Sequence, residues 1–209
     1  MAMELRSEWR LEAPVERVWA VLARPEAWPQ WWRYVAAVNK LREGDGSGVG
    51  AIYAYRWRSR LPYGLALTLR TVKAVKPVYL EGEAWGDVEG YGCWQLRSWE
   101  RGTQLHHVWN VELSKRWMRL FAPLLAPVFR WNHHAVMRAG ARGMAEHLGT
   151  QLVGYRAVPA SETRRRDTRV GTLCCSSGSQ GSEQQVQPVE EDGVASNRHH
   201  QTHRLRTSR

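Results

Sequence analysis

LRSEWRLEAPVERVWAVLAR, residues 5–24, changes its hydrophobic period halfway along. Leu5, Ser7, Trp9 and Leu11 alternate with Arg6, Glu8, Arg10 and Glu12, the pattern of a strand with one face on a core and one in water. Ala13-Pro14 ends that strand. Pro14 suits a helix start, where its missing N–H is one of the groups left over anyway, and Glu16 suits the first turn. Val15, Val18, Trp19 and Leu22 then recur at helical spacing, which predicts a short amphipathic helix over 15–24 that Pro25 stops.

Working outward, a second helical piece is expected over 26–34, through Trp28-Pro29-Gln30-Trp31-Trp32. From Val35 the period becomes two and stays so for some eighty residues. Strands are predicted over 38–43, 51–60, 65–75, 79–88, 93–99 and 103–113. Their turns are Gly44-Asp45-Gly46-Ser47-Gly48, Leu61-Pro62-Tyr63-Gly64, Lys76-Pro77, Gly90 to Gly92, and Arg101-Gly102. A long helical region, 115–152, follows, with a kink or break expected at Pro123 and Pro127. Beyond the break, Phe129, Asn132 or His133, Val136, Gly140, Met144 and His147 form a stripe that should lie across the sheet. The fold class is α+β: a curved, antiparallel, seven-stranded sheet in the order β-αα-β6-α, closed by the last helix.

Composition divides the chain into a domain, 1–158, and a tail, 159–209, that has no Phe, Tyr or Trp and reads as disordered and low in complexity. All twelve tryptophans lie between Trp9 and Trp131. So many bulky rings in one stretch point to a sheet wrapped round an apolar cavity, with core filling as the rival explanation. The net charge of +10 belongs mainly to the domain, which carries 22 Lys and Arg against 14 Asp and Glu. That balance favours anionic partners, although scattered arginines equally describe a solvated basic surface. Three cysteines, Cys93, Cys174 and Cys175, make neither a disulfide framework nor a zinc spacing. With no signal-like N-terminus, and with the longest apolar stretch, 120–129, too short to span a bilayer, a soluble cytoplasmic protein is expected, as monomer or homodimer.

The element order, together with Ala13-Pro14-Val15-Glu16-Arg17-Val18-Trp19, Pro25-Glu26-Ala27-Trp28-Pro29-Gln30-Trp31-Trp32, Gly44 to Gly50, Gly86 to Gly90 and Trp131-Asn132-His133, resembles the START-like (SRPBCC) superfamily, and within it the polyketide cyclase/dehydrase branch. The likeness covers residues 4–153. It implies a helix-grip fold with an elongated cavity between sheet and closing helix. Its members bind lipids, polyketides, sterols, plant hormones or aromatic intermediates, and a minority catalyse aldol-type cyclisation or dehydration. Fold analogy does not choose among these.

The residues themselves narrow the choice little. On the strand 103–113, Leu105, His107, Trp109 and Val111 share the apolar side, which makes His107 either an acid/base in a low-dielectric wall or a core histidine. Asn132 could orient a ligand carbonyl and His133 shuttle a proton, or both could be bonded locally on the helix. Tyr53, Tyr55 and Trp57 share one face of their strand, opposite Arg56, Arg58 and Arg60, and Tyr63 could close the mouth. The expected ligand contacts are Tyr53, Tyr55, Trp57, Tyr63, Trp94, His107, Trp109, Phe129, Asn132, His133 and Val136; His107 and His133 would be catalytic only in an enzyme. Leu80, Gly82, Ala84 and Gly86 put small residues inward. Glu81, Glu83 and Asp87 are either neighbouring carboxylates for chemistry or outer acid groups opposite Arg70 or Arg97. No metal spacing and no cofactor motif is present, so neither is expected.

The expected partner is therefore a hydrophobic small molecule, held by a binding protein or turned over by a cyclase or dehydratase. Lys115-Arg116-Trp117-Met118-Arg119-Leu120-Phe121 reads either as a segment for transient contact with a membrane surface or, equally well, as a buried helix start with a basic edge. Specific nucleic-acid binding is not expected, because Arg164-Arg165-Arg166 and the histidines of the tail would act weakly and without selectivity.

Overall fold

The alternation of residues 5–11 belongs to a longer strand, β1 (Ala2–Leu11), and Pro14, at the N-cap, opens α1 (Val15–Leu22), as the change of period requires. The computed structural model describes residues 2–59, 64–114 and 116–159, with the backbone alone for 2 and 116–125. After a 3-10 turn (Pro25–Ala27) comes α2 (Trp28–Trp31), shorter than the helix expected over 26–34 because Trp32 turns extended at ψ 93°. Next are β2 (Val35–Arg42), β3 (Ile52–Trp57), β4 (Leu65–Val75), β5 (Tyr79–Gly86), β6 (Val88–Trp99) and β7 (Gly102–Leu113). The chain closes with α3 (Arg116–Leu148) and β8 (Leu152–Val158).

Every neighbouring pair of strands is antiparallel, in the order β2-β3-β4-β5-β6-β7-β1-β8. Among the described residues the sheet thus has eight strands rather than seven. β8 begins at Leu152, where the helix was expected to end, and occupies residues to which no element was assigned. Gly149, at φ +63°, ends α3, and its N–H donates to the Glu146 carbonyl. Thr150 then donates its hydroxyl to the Glu12 carbonyl, and β8 pairs along β1 from Leu11↔Leu152 to Arg6↔Val158.

Three further expectations differ from the structure: a break in the last helix, the place of His147 and the turn at Gly90 and Gly92. No break occurs at Pro123 or Pro127; α3 is continuous. Each proline removes one ladder bond, at about 3 kcal/mol or more. Against that, Phe129, Val136, Met137, Met144 and Leu148 are all buried, and each such side chain contributes about 1.5–3 kcal/mol. His147, expected on the same stripe, is exposed. Nor do Gly90 and Gly92 form a turn: the β5–β6 turn is at Asp87, and both glycines lie inside β6. A Cβ on Gly92 would sit 2.3 Å from Trp109 Cε3 and one on Gly90 2.2 Å from the Asn110 oxygen, so these positions are bare where β7 leans across.

The same close fit seats α3 on α2. Gly140 lies against the Trp32 indole, where a Cβ would be 2.3 Å from Cε2, and a Cβ on Gly143 would be 1.8 Å from the Trp31 carbonyl oxygen. Trp32 Nε1 donates to the Val136 carbonyl at 2.9 Å. Among the described residues no helix is long and apolar enough to cross a membrane. The tail beyond Pro159, Tyr63 in the β3–β4 connection, and the side chains of the basic-aromatic segment 115–121 lie outside the described residues.

Candidate functional site

Trp32 is the hub of an indole cluster. Its ring lies 5.7 Å from Trp9, 5.3 Å from Trp28, 5.4 Å from Trp31, 5.1 Å from Trp57 and 6.4 Å from Trp94. Trp9 is fully buried there and Trp31 nearly so. Part of the tryptophan excess is therefore core, and it closes the end of the sheet that carries α1 and α2. Several of the same rings, with Trp109, also face a cavity, whereas Trp85 and Trp131 are exposed.

That cavity, about 190 Å³, lies between α3 and the concave side of the sheet. Trp28, Trp32, Trp57, Trp94 and Trp109 line it, with Met3, Leu5, Leu67, Leu69, Val111 and Met137 between them. Register explains why these side chains meet. Leu80, Trp94, His107 and Ser7 pair in succession across β5, β6, β7 and β1, and so point to the same side. Gly82 of β5 also lines the space, and a Cβ there would lie 2.0 Å from Leu69 Cδ2, so packing accounts for its small size.

Of the ligand contacts expected, Tyr55, Trp57, Trp94, His107, Trp109, Phe129, Asn132, His133 and Val136 line this cavity. Tyr53 does not. Its ring leans on Tyr55 at 6.4 Å and takes the Lys40 ammonium at 5.8 Å, near the outer edge of the sheet. Tyr63 is outside the described residues. Trp28, Trp32 and the aliphatic wall were missed. The Trp28-to-Trp32 spacing of four is a legible signal for one helix side, but where that side docks depends on the curl of distant strands. Arg58, expected on the outer face with Arg56, lines the rim instead, because β3 ends at Trp57 and the Arg58 N–H turns to the Tyr34 carbonyl.

Polar groups in the wall are few. His107 packs on Trp94 with ring centres 4.2 Å apart, and His133 approaches it from α3 at 6.1 Å with the planes inclined by 20°. Burial pushes the His107 imidazole down to about 3, so it is neutral at pH 7. His133 is held well below its ordinary range, first by burial and then by the nearby His107 and His134. His134 points elsewhere, its Nδ1 3.0 Å from the Tyr155 hydroxyl on β8. Burial also raises the Tyr55 phenol, which stays protonated.

Glu83 and Asp87 lie outside the cavity, and Glu81, which contributes to its lining, is engaged by a neighbouring hydroxyl. Glu83 pairs with Arg70 at 2.6 Å, Glu81 accepts from the Tyr79 hydroxyl at 2.6 Å, and Asp87 accepts from the Ala66 N–H at 3.0 Å. Of the two readings of these residues, outer acid groups opposite Arg70 is the one the geometry matches. Among the described residues no three His, Cys, Asp or Glu gather as metal ligands.

Solved structures share this fold. The di-domain ARO/CYC BexL from the BE-7585A biosynthetic pathway aligns with a TM-score of 0.58 at 14% identity, over 72% of this chain and 51% of that one. The chain thus spans about half of that protein. Protein TTHA0849 from Thermus thermophilus aligns with a TM-score of 0.58 at 15% identity, over 69% and 99% of the two chains. Zhui aromatase/cyclase from Streptomyces sp. R1128 aligns with a TM-score of 0.54 at 15% identity, over 71% and 96%. These likenesses concern the helix-grip fold of START-like proteins. No curated protein matches the sequence. The family model for polyketide cyclase/dehydrase and lipid transport, however, matches residues 3–149, from β1 to the end of α3. The chain is a member of that family.

Proposed function

We propose that this protein binds an apolar, ring-bearing small molecule, aromatic or polyketide-like, between the sheet and α3. The observation that carries the reading is a cavity of about 190 Å³ walled by indoles and aliphatic side chains, with the Tyr55 phenol, Asn132 and two neutral imidazoles among its few polar groups. Apolar walls with a few placed polar groups are what such ligands need, the first for affinity and the second for orientation. Titrating the full chain with N-phenyl-1-naphthylamine, while following quenching of tryptophan emission, tests it. Saturable one-to-one quenching is expected; no saturable response overturns the reading.

A second reading, an aldol-type cyclase or dehydratase, is favoured by the family's description and by two imidazoles facing one cavity. In it, one imidazole takes a proton from the carbon alpha to a carbonyl. The resulting enolate carbon bonds to a second carbonyl carbon of the same chain, whose oxygen takes a proton, and loss of water completes dehydration. Burial weighs against it, since an imidazole held near 3 is a weak base at neutral pH. Incubation with a linear poly-β-ketone tests it: cyclised product that His107→Ala and His133→Ala abolish would favour catalysis over binding alone.

A further inference from the structure

α3 changes character along the side that faces away from the sheet. Residues 120–129 carry no polar or charged side chain, whereas a helix with one face in water ordinarily places polar groups on that face. The cavity takes Phe129, Asn132, His133 and Val136 from the inner side of these turns. Val128 and Trp131 are left on the outer side, one turn apart and 37% and 51% exposed. In the sequence the same spacing of three and four runs back from Val128 to Leu124, Leu120 and Trp117. Towards the other end the outward positions pass to arginine: Arg138, over the Tyr155 ring at 5.1 Å, and Arg142 are both exposed. The single carboxylate of the whole helix is Glu146, in its last turn.

We propose that this side of α3 docks on an anionic lipid surface, with Val128 and Trp131 in the interfacial layer and Arg138 and Arg142 on lipid phosphates. Tryptophan suits that layer because its apolar ring and its polar N–H each find there the surroundings they need. A helix lying in the plane of an interface carries this combination of an apolar stripe and arginines. Among the described residues no helix can cross a membrane, so the contact is with the surface. Other occupants fit less well. A second copy would present the same arginines and no carboxylate to meet them before Glu146. A nucleic acid would pair with the arginines and leave Val128 and Trp131 in water. The domain's balance of 22 Lys and Arg against 14 Asp and Glu adds attraction to a negative surface at longer range.

The docking concerns the outside of α3 and stands apart from the cavity reading, so its test needs no cavity ligand. Full-length protein is sedimented with vesicles of phosphatidylcholine alone and of phosphatidylcholine with about one-third phosphatidylglycerol. Binding to the anionic vesicles is expected, about tenfold tighter or better than to the neutral ones and weakening as salt rises. Trp131→Ser should reduce the affinity about tenfold and Arg142→Gln about fivefold. Trp85→Ser is the control. Trp85 is also exposed, at 42%, but lies on β5, and its replacement should change the affinity by less than about twofold. Far-ultraviolet circular dichroism checks the fold of each variant, and Arg142→Gln, a change at the surface, keeps the test open should Trp131→Ser not fold. Anionic-vesicle binding that Trp131→Ser and Arg142→Gln leave unchanged would overturn the assignment to α3, as would failure of the parent protein to bind either vesicle. A concentration-dependent dimer that Trp131→Ser dissociates, with no vesicle binding, would overturn it in favour of a second copy.

Discussion

Trp32 donates its indole N–H to the Val136 carbonyl at 2.9 Å, 104 residues away in sequence, and that bond sets the closing helix at a fixed place over the sheet. One face of the same indole meets Gly140, and its ring packs on Trp57 and Trp94, both of which line the cavity. The placement of α3, the solid end of the core and the wall of the cavity thus share one side chain.

Gly140→Ala should destabilise the fold by about 1–3 kcal/mol, because the new methyl must displace a buried indole. Gly154 of β8 is the control, since nothing lies within 4 Å of its Cβ position. Gly154→Ala should change stability by about 0.5 kcal/mol or less. Urea unfolding followed by tryptophan emission separates the two. Equal effects would mean that Gly140 is not a contact point.

Stability should fall in mild acid, and His107 should be part of the cause. Its folded value lies near 3 against an ordinary 6.5, so between those values the unfolded chain binds a proton that the folded chain does not. The contribution of the neutral, buried ring is complete above about pH 6.5 and is lost as pH falls towards about 3, at up to about 1.4 kcal/mol per pH unit. His107→Leu should therefore show a shallower loss between about pH 7 and about pH 5 than the parent protein. Parallel curves would refute the neutral, buried assignment.

Filling the cavity should abolish binding without unfolding the protein. Val111 lines the wall from β7, and Val111→Trp would place an indole in a space of about 190 Å³. A loss of N-phenyl-1-naphthylamine affinity of about tenfold or more is expected, with an unchanged far-ultraviolet circular dichroism spectrum. Retained affinity would put the probe elsewhere on the molecule.

Much of the fold was readable in advance. β1, α1 and the strands from β2 to β7 follow from a change of period and from proline and glycine punctuation, which are local signals. His107 and Trp109 could be assigned to the inner side because Leu105, His107, Trp109 and Val111 alternate along β7, although Val108 on the other side is buried too, with Tyr79 and Cys93. β8 escaped because Leu148 and Leu152 stand four apart and extend a helical stripe, while the event that ends the helix is one left-handed glycine, Gly149. Trp28 and Trp32 escaped as cavity residues for a different reason. Their place in the wall is decided by contacts with β3, β6 and α3, far apart in the chain, and no local pattern encodes that curl.

The central claim is that a ring-bearing guest lies between α3 and the concave sheet, and a crystal structure of the protein grown with N-phenyl-1-naphthylamine tests it most directly. The account predicts electron density for the probe against Trp94, Trp109 and Val136, with the Trp32 to Val136 bond intact. Density for the probe only on the outer surface, with Trp109 and Phe129 swung together across the space, would contradict it.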